Sequence, residues 1–328
     1  AEGYMRGEWE TPDLTALLLL GSRNMDALSG AVSENRVITV LNRIRHARRA
    51  NTRRGSRRNI AAHYDLGNDF YRYWLDSGMS YSSALFETPD ESIAVAQRRK
   101  FLRLAQKLDL QPGDRVLEIG CGWGGFAELV AAEFGCTVVG LTLSQEQAKF
   151  ARDRMQRAGL AGKVDIRIQD YRDVDGQFDK IVSVEMFEAV GEENWDTYFS
   201  VLDRCLKPGG RAALQSITIA NEKFDSYRRN PDFIQRYIFP GGMLPSPERF
   251  SEAANRAGMQ IHDTYFFGNS YAETLRRWSD AFRRNWPAIE RLGYDERFRR
   301  MWHYYLSYCE AGFEDGHVDV GQFVLGRR

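Results

Sequence analysis

Apolar residues along this chain recur in two rhythms. Over 93–108 they return every three to four positions, with Ala94, Phe101, Leu104, Ala105 and Leu108 on one side and Arg98, Arg99, Lys100 and Arg103 on the other, which predicts a helix. From residue 115 short runs rich in β-branched residues alternate with helical patterns: strand 115–119, helix 126–134, strand 137–141, helix 145–158, strand 164–169 and strand 178–184, then strand 211–219 after a Pro-Gly-Gly turn. Such alternation predicts an α/β fold, a parallel sheet with right-handed crossovers. Residues 322–325 read as a last strand. Near the start, Pro12-Asp13 opens a helical pattern with Leu14, Leu17, Leu18 and Leu28 toward a core.

The sharpest pattern is Val116-Leu117-Glu118-Ile119-Gly120-Cys121-Gly122-Trp123-Gly124-Gly125, an apolar strand running into a glycine turn that opens a helix. Glycines at that junction let backbone pass close to a bound cofactor. Gly120, Gly122 and Gly125 also satisfy the dinucleotide spacing, but that site asks for an acid at the end of the second strand to hold the ribose. Here the second strand runs into Thr142-Leu143-Ser144, with no carboxylate at its tip. Glu118, directly before the first glycine, instead resembles the loop of class I S-adenosylmethionine (SAM) methyltransferases, and Asp170 ends the third strand in an acid able to reach an adenine amino group. S-adenosyl-L-methionine is therefore the expected cofactor.

Composition narrows the partners. The 328 residues carry 45 basic and 45 acidic side chains, so no whole-molecule field marks a nucleic-acid binder. Cys121, Cys136, Cys205 and Cys309 lack disulfide or metal spacing and read as reduced thiols of a cytoplasmic protein, with no metal site expected. The apolar stretch 14–20 is too short to span a bilayer, so any membrane contact is expected to be peripheral, at the inner face. Between Glu34 and Asp65 there is no acid, while Arg43, Arg45, Arg48, Arg49, Arg53, Arg54, Arg57 and Arg58 accumulate. Such a run is either a solvated linker or a contact for an anionic surface, where each basic side chain contributes about 1 kcal/mol. Residues 59–71 and 79–86 are aromatic-rich but unperiodic, the pattern of a lid over a site. The aromatics of 271–313 suggest an apolar pocket beside the cofactor. The first residue is not Met, and the sequence is expected to begin inside a longer chain.

Taken together, 63–71, Tyr81-Ser82, 118–125, 140–144, 169–171, Phe187-Glu188-Ala189-Val190-Gly191, 237–246 and Trp286-Pro287 resemble cyclopropane-fatty-acyl-phospholipid synthases and their fatty-acyl-methylating relatives. The resemblance implies a class I SAM-dependent methyltransferase, a Rossmann-like doubly wound sheet with a helical lid. Residues 1–58 would be a partial N-terminal helical domain with a basic linker. Residues 59–328 would be the methyltransferase domain, with acyl-binding insertions at about 220–315. It implies that Tyr81 and Ser82 hold the methionine end of SAM, that Glu118, Gly120 and Gly122 line its path, that Thr142 and Gln147 approach the ribose, and that Asp170 with Tyr171 frames the adenine. Cys121 and Glu188 would belong to a small polar pocket that holds bicarbonate as base. Gln215 stands where that pocket has a histidine, and Ser279 where a tyrosine is expected; glutamine can hydrogen-bond an anion but does not titrate near neutrality.

The implied activity is alkylation of the double bond of an unsaturated acyl chain in membrane phospholipid, closing to a cyclopropane ring, with a methyl- or methylene-branched chain as the alternative product. The implied partners are an unsaturated phospholipid and an anionic membrane surface met through Arg43–Arg58, without nucleic acid; a homodimer is left open. A catalytically idle lipid-binding protein is the different-class alternative that Gln215 and Ser279 raise.

Overall fold

A computed structural model describes residues 1–24, Gly55 and 66–327 of the chain. Seven strands form one sheet in the order β3-β2-β1-β4-β5-β7-β6, namely β1 Arg115–Ile119, β2 Thr137–Thr142, β3 Val164–Ile168, β4 Phe178–Val184, β5 Leu206–Ile219, β6 Met259–Phe266 and β7 Val318–Arg327. The first five are parallel, and β7 runs antiparallel between β5 and β6. After their first residue β1 and β2 are buried throughout, as strands covered on both faces must be. On one side Val116, Val138 and Val182 pack with Leu104, Phe126, Val130, Ala148 and Met155, which come from helices Ile93–Leu108, Gly125–Glu133 and Gln145–Arg157. The opposite core joins Leu117, Ile119 and Ile181 to Phe199, Leu202 and Phe250 of helices Trp195–Cys205 and Pro247–Arg256. A third, aromatic core gathers Phe70, Trp74, Trp278, Phe282 and Trp302 between helices Asn68–Arg72, Gly268–Arg284 and Glu296–Glu314.

Three details depart from the expected pattern. β6 is an added strand: an edge strand, mostly exposed along its outer half, lacks the apolar run that announces a buried one. β5 begins at Leu206 rather than 211, because Leu206 pairs with Phe178 before the register shifts ahead of Lys180 and Arg211, and the Pro208-Gly209 turn is carried within the strand with Gly209 at φ +75°. Lys100, expected on the solvent side of its helix, is fully buried.

Helix Leu14–Arg23, capped by Asp13 on the Ala16 N–H, lies against Glu296–Glu314, with Thr15 Oγ1 donating to Glu310 Oε2 at 3.2 Å. Arg43–Arg58 and most of 59–71 lie outside the described residues. Among the described residues no helix is long and apolar enough to cross a membrane, and no cluster of His, Cys, Asp or Glu could hold a metal ion. The strand order reverses direction at β1 and β4, so the crevice beyond their carboxyl ends is the natural ligand site of the sheet.

Candidate active site

A cavity of about 980 Å³ opens at that switch point. It is near the upper end of the roughly 300–1,000 Å³ typical of small-molecule pockets, enough for a nucleoside cofactor and a stretch of acyl chain together. One wall is the glycine turn. Gly120 has φ +83°, and a Cβ there would fall 2.8 Å from the Met186 side chain; Gly122 has φ +52°, and a Cβ there would meet no atom within 4 Å. The backbone at Gly122 is thus bare toward the cavity. Glu118, buried beneath the turn, receives the Ala127 N–H of the following helix, but its Oε2 has no hydrogen-bond partner among the described residues, and burial pushes its carboxyl up to about 8.

The neighbouring strand ends complete this half. At the end of β2, Thr142 Oγ1 is 2.8 Å from Gln147 Oε1, with the Gln147 N–H held by the capping Ser144. Gln169 and Tyr171 line the cavity beyond β3, whereas Asp170 does not. Asp170 caps the short turn Tyr171–Asp173, and its two oxygens receive Arg172 Nε at 2.8 Å and Nη2 at 2.6 Å. The Asp170 carboxylate is thus paired with Arg172, and at this end of the cavity the wall itself is formed by its neighbours Gln169 and Tyr171. From the unperiodic segment 79–86, Met79, Ser80, Tyr81 and Ser82 line the opposite side. Tyr81 pairs its hydroxyl with Tyr305 at 2.8 Å, and Ser82 Oγ accepts Lys100 Nζ at 2.6 Å.

Between the two halves lie two half-buried carboxylates. Glu188 Oε1 accepts the Ile217 N–H at 2.5 Å and the Ser216 hydroxyl at 3.1 Å, while Oε2 has no hydrogen-bond partner among the described residues. Burial, then the neighbouring Glu185, pushes its carboxyl up to about 8. Glu185, one residue past β4, sits in the left-handed region at φ +50°, an unusual conformation for a residue with a Cβ and one that clusters at functional sites. Its Oε1 accepts the Ser83 N–H at 2.8 Å and Gln215 Nε2 at 2.7 Å, and its Oε2 accepts the Tyr271 hydroxyl at 2.6 Å. Burial raises this carboxyl, whereas Lys100 and the three hydrogen bonds pull it back down. Cys121 also lines the cavity, but burial and Glu118 hold its thiol well above the usual range, so it is a neutral, inert neighbour.

Glu185 and Tyr271 were not singled out in the sequence. Ser279 was, and it does not line the cavity. Tyr271 lies on the same helix, eight residues earlier, about 12 Å along the axis at 1.5 Å per residue, and it is the residue that brings a hydroxyl to the carboxylates. Gln215 does not line the cavity either; it acts on it through Glu185. Much of the remaining wall is apolar or aromatic: Ile217, Ile219, Ile234, Phe239, Met243 and Leu244, with Tyr304, Tyr305, Tyr308 and Phe313 from helix Glu296–Glu314 and Leu17 and Leu18 from the N-terminal helix, while Lys223, Asp232, Gln235 and His317 are among its polar members. Trp278, Phe282 and Trp302 instead fill the aromatic core.

Comparison with known proteins accords with this geometry. The sequence profile of the family described as mycolic acid cyclopropane synthetase matches residues 51–323. A tuberculostearic acid methyltransferase of Mycobacterium tuberculosis is 42% identical over 335 aligned positions, covering 99% of this chain and 78% of that protein. The cyclopropane-fatty-acyl-phospholipid synthase of Escherichia coli K12 is 44% identical over 266 positions, covering 81% of this chain and 66% of that protein. Among solved structures, a mycolic acid cyclopropane synthase complexed with S-adenosylhomocysteine superposes with a TM-score of 0.77 at 34% identity, covering 82% of this chain and 97% of that one.

Proposed function

The chain belongs to the mycolic acid cyclopropane synthetase family of SAM-dependent methyltransferases that modify fatty acyl chains, and from that premise we propose that it alkylates the double bond of an unsaturated acyl chain of a phospholipid, with Glu185 as the base that completes the reaction. The bare backbone at Gly122 and the unpartnered buried oxygen of Glu118 fit the cofactor. Bound SAM supplies an electrophilic methyl, which the alkene π pair attacks while the carbon–sulfur bond breaks toward sulfur.

The chain's own residues do the rest. The apolar wall excludes water from the alkene, which is too weak a nucleophile to compete with it. Attack leaves a carbocation on the neighbouring acyl carbon, and the tyrosine faces of the wall stabilise positive charge by roughly 0.5–2 kcal/mol each when desolvated. Glu185, held by donors, places negative charge on the same side.

The base is the point on which the product depends. The donors that would hold an external anion are occupied: the Ile217 N–H and Ser216 by Glu188, the Gln215 amide and the Tyr271 hydroxyl by Glu185. With those donors taken, the expected bicarbonate is replaced in this reading by Glu185 itself. A carboxylate already engaged by three donors is a restrained base, which gives time for a hydride shift from the methyl-bearing carbon to the first cation centre, converting a secondary cation to a tertiary one. A C–H bond of the added methyl then breaks, its proton goes to Glu185, and its electron pair forms the double bond of a methylene branch on the acyl chain. The similarity to a tuberculostearic acid methyltransferase over 99% of the chain supports a branched product. The cyclopropane ring, formed if the proton leaves before the hydride moves, is the second reading, supported by the similarity to the Escherichia coli synthase.

The observation that carries the assignment is the Glu185 carboxylate among Gln215, Tyr271 and Ser83. In a Glu185→Gln variant, SAM binding by calorimetry should persist and turnover on mono-unsaturated phospholipid vesicles should fall by about 10²–10⁴; undiminished turnover would remove Glu185 from the reaction. The basic run Arg43–Arg58 is proposed as the contact with the anionic vesicle surface, attraction that weakens as salt rises.

A further inference from the structure

Gln215 is gripped on the side away from Glu185 by a row of side chains that leaves the cavity. Gln322 stands opposite it in the antiparallel pairing of β5 and β7 and donates Nε2 to Gln215 Oε1 at 3.0 Å. Gln322 Oε1 in turn accepts Arg103 Nη1 at 2.6 Å. Both glutamines are 1% exposed, so neither amide can exchange its partners for bulk water.

The direction of this row follows from its ends. A guanidinium has donors only, and an ionised carboxylate has acceptors only. Arg103 therefore fixes the Gln322 oxygen toward itself and leaves the Gln322 NH₂ facing inward. A second contact agrees, because the same Nε2 faces the backbone carbonyl of Lys100 at 3.4 Å, which can only accept. With the Gln322 NH₂ inward, Gln215 must present its oxygen to Gln322 and its NH₂ to Glu185, where the 2.7 Å bond is found. We propose that Arg103 and Gln322, outside the cavity, are positioning residues that lock Gln215 with its NH₂ on Glu185 and so hold Glu185 in its ionised, proton-accepting form. This rests on Glu185 being the base.

Were Gln215 reversed, its carbonyl would face Glu185, an arrangement that only a protonated carboxyl satisfies. The other groups facing Glu185 are Lys100 from helix Ile93–Leu108, Tyr271 from helix Gly268–Arg284, the Ser83 N–H and Glu188. None of these determines which way Gln215 points. Arg103 is itself held by stacking over Tyr265 at 4.1 Å, with Asp263 at 3.8 Å.

The test is the pH profile of turnover on mono-unsaturated phosphatidylglycerol vesicles. Gln322→Glu is isosteric and keeps an acceptor for Arg103, but turns a second acceptor toward Gln215 and favours its reversal. Its acid limb, and that of Arg103→Met, should move upward by about one pH unit, with SAM affinity unchanged. Arg103→Lys retains donors only and should restore the wild-type profile. Turnover lowered evenly at every pH, with the limb unmoved in Gln322→Glu, would overturn the relay. Glu185→Gln run alongside separates the two failures: if it is inactive while the limb stays fixed, the relay alone falls, and if it turns over normally, the base assignment falls and the relay with it.

Discussion

The ammonium of Lys100 lies 2.6 Å from the Ser82 hydroxyl with the whole side chain sealed from solvent. A buried ammonium is costly unless it is held, and here the Ser82 hydroxyl and the negative charge of Glu185 and Asp76 hold it. Burial still lowers it to about 8 from 10.5. Between those two values the unfolded chain keeps a proton that the folded one has released, so stability attributable to this group rises with pH. Relative to Lys100→Met, the wild type should gain on the order of 3 kcal/mol from pH 8 to 10.5. Denaturant unfolding of both proteins across that range checks it, and parallel curves would refute the shift.

Lys100 also shows what the sequence could and could not reveal. It falls in i, i+4 register with Ala96, Leu104 and Leu108, all buried, so its burial was legible in the spacing, but charge outweighed position. The glycine turn and β1 to β4 were legible because parallel strands and their turns are written locally, in β-branched runs and positive-φ glycines. Glu185 was hidden because an acid at a strand tip looks ordinary until the fold brings Gln215, Ser83 and Tyr271 to its carboxylate. Tyr271 was hidden because Ser279 shares its helix, and only three dimensions tell which turn of that helix reaches the carboxylates. The pairing of Asp170 with Arg172 was hidden because nothing in the strand announces that Arg172 will take its carboxylate.

Glu188 should display an opposition between stability and activity. Its carboxyl is raised to about 8 from 4.5 by burial and by Glu185, so the folded protein binds a proton that the unfolded one loses between those values, and stability falls as pH rises through that window. Glu188→Gln, which has no charge to bury, should gain on the order of 4 kcal/mol of stability relative to the wild type between about pH 5 and pH 8.5, while its turnover falls. Unfolding curves at pH 5 and pH 8.5, with turnover at both, check this. Equal stability differences at the two pH values would contradict it.

Gly122→Val should remove SAM binding and leave the fold. A Cβ there meets no protein atom within 4 Å and points into the cofactor half of the cavity. The positive φ is disfavoured for a β-branched residue by roughly 1–3 kcal/mol, which a protein of this size can absorb at ambient temperature. Calorimetric titration with SAM and a thermal melt separate the two effects, and near-wild-type affinity would contradict the proposed path of the cofactor.

The most direct test of Glu185-assisted alkylation is the product made from SAM carrying a fully deuterated methyl, on vesicles of mono-unsaturated phospholipid. Proton transfer from the added methyl to Glu185 leaves two deuterons on the new carbon, and mass spectrometry of the released fatty acid should show that increment. NMR of material made with unlabelled SAM should place the added carbon in a methylene branch, C=CH₂, on the acyl chain, and the Glu185→Gln protein should make little of it. Three deuterons retained on the added carbon, or a product unchanged in amount and kind in Glu185→Gln, would contradict the account.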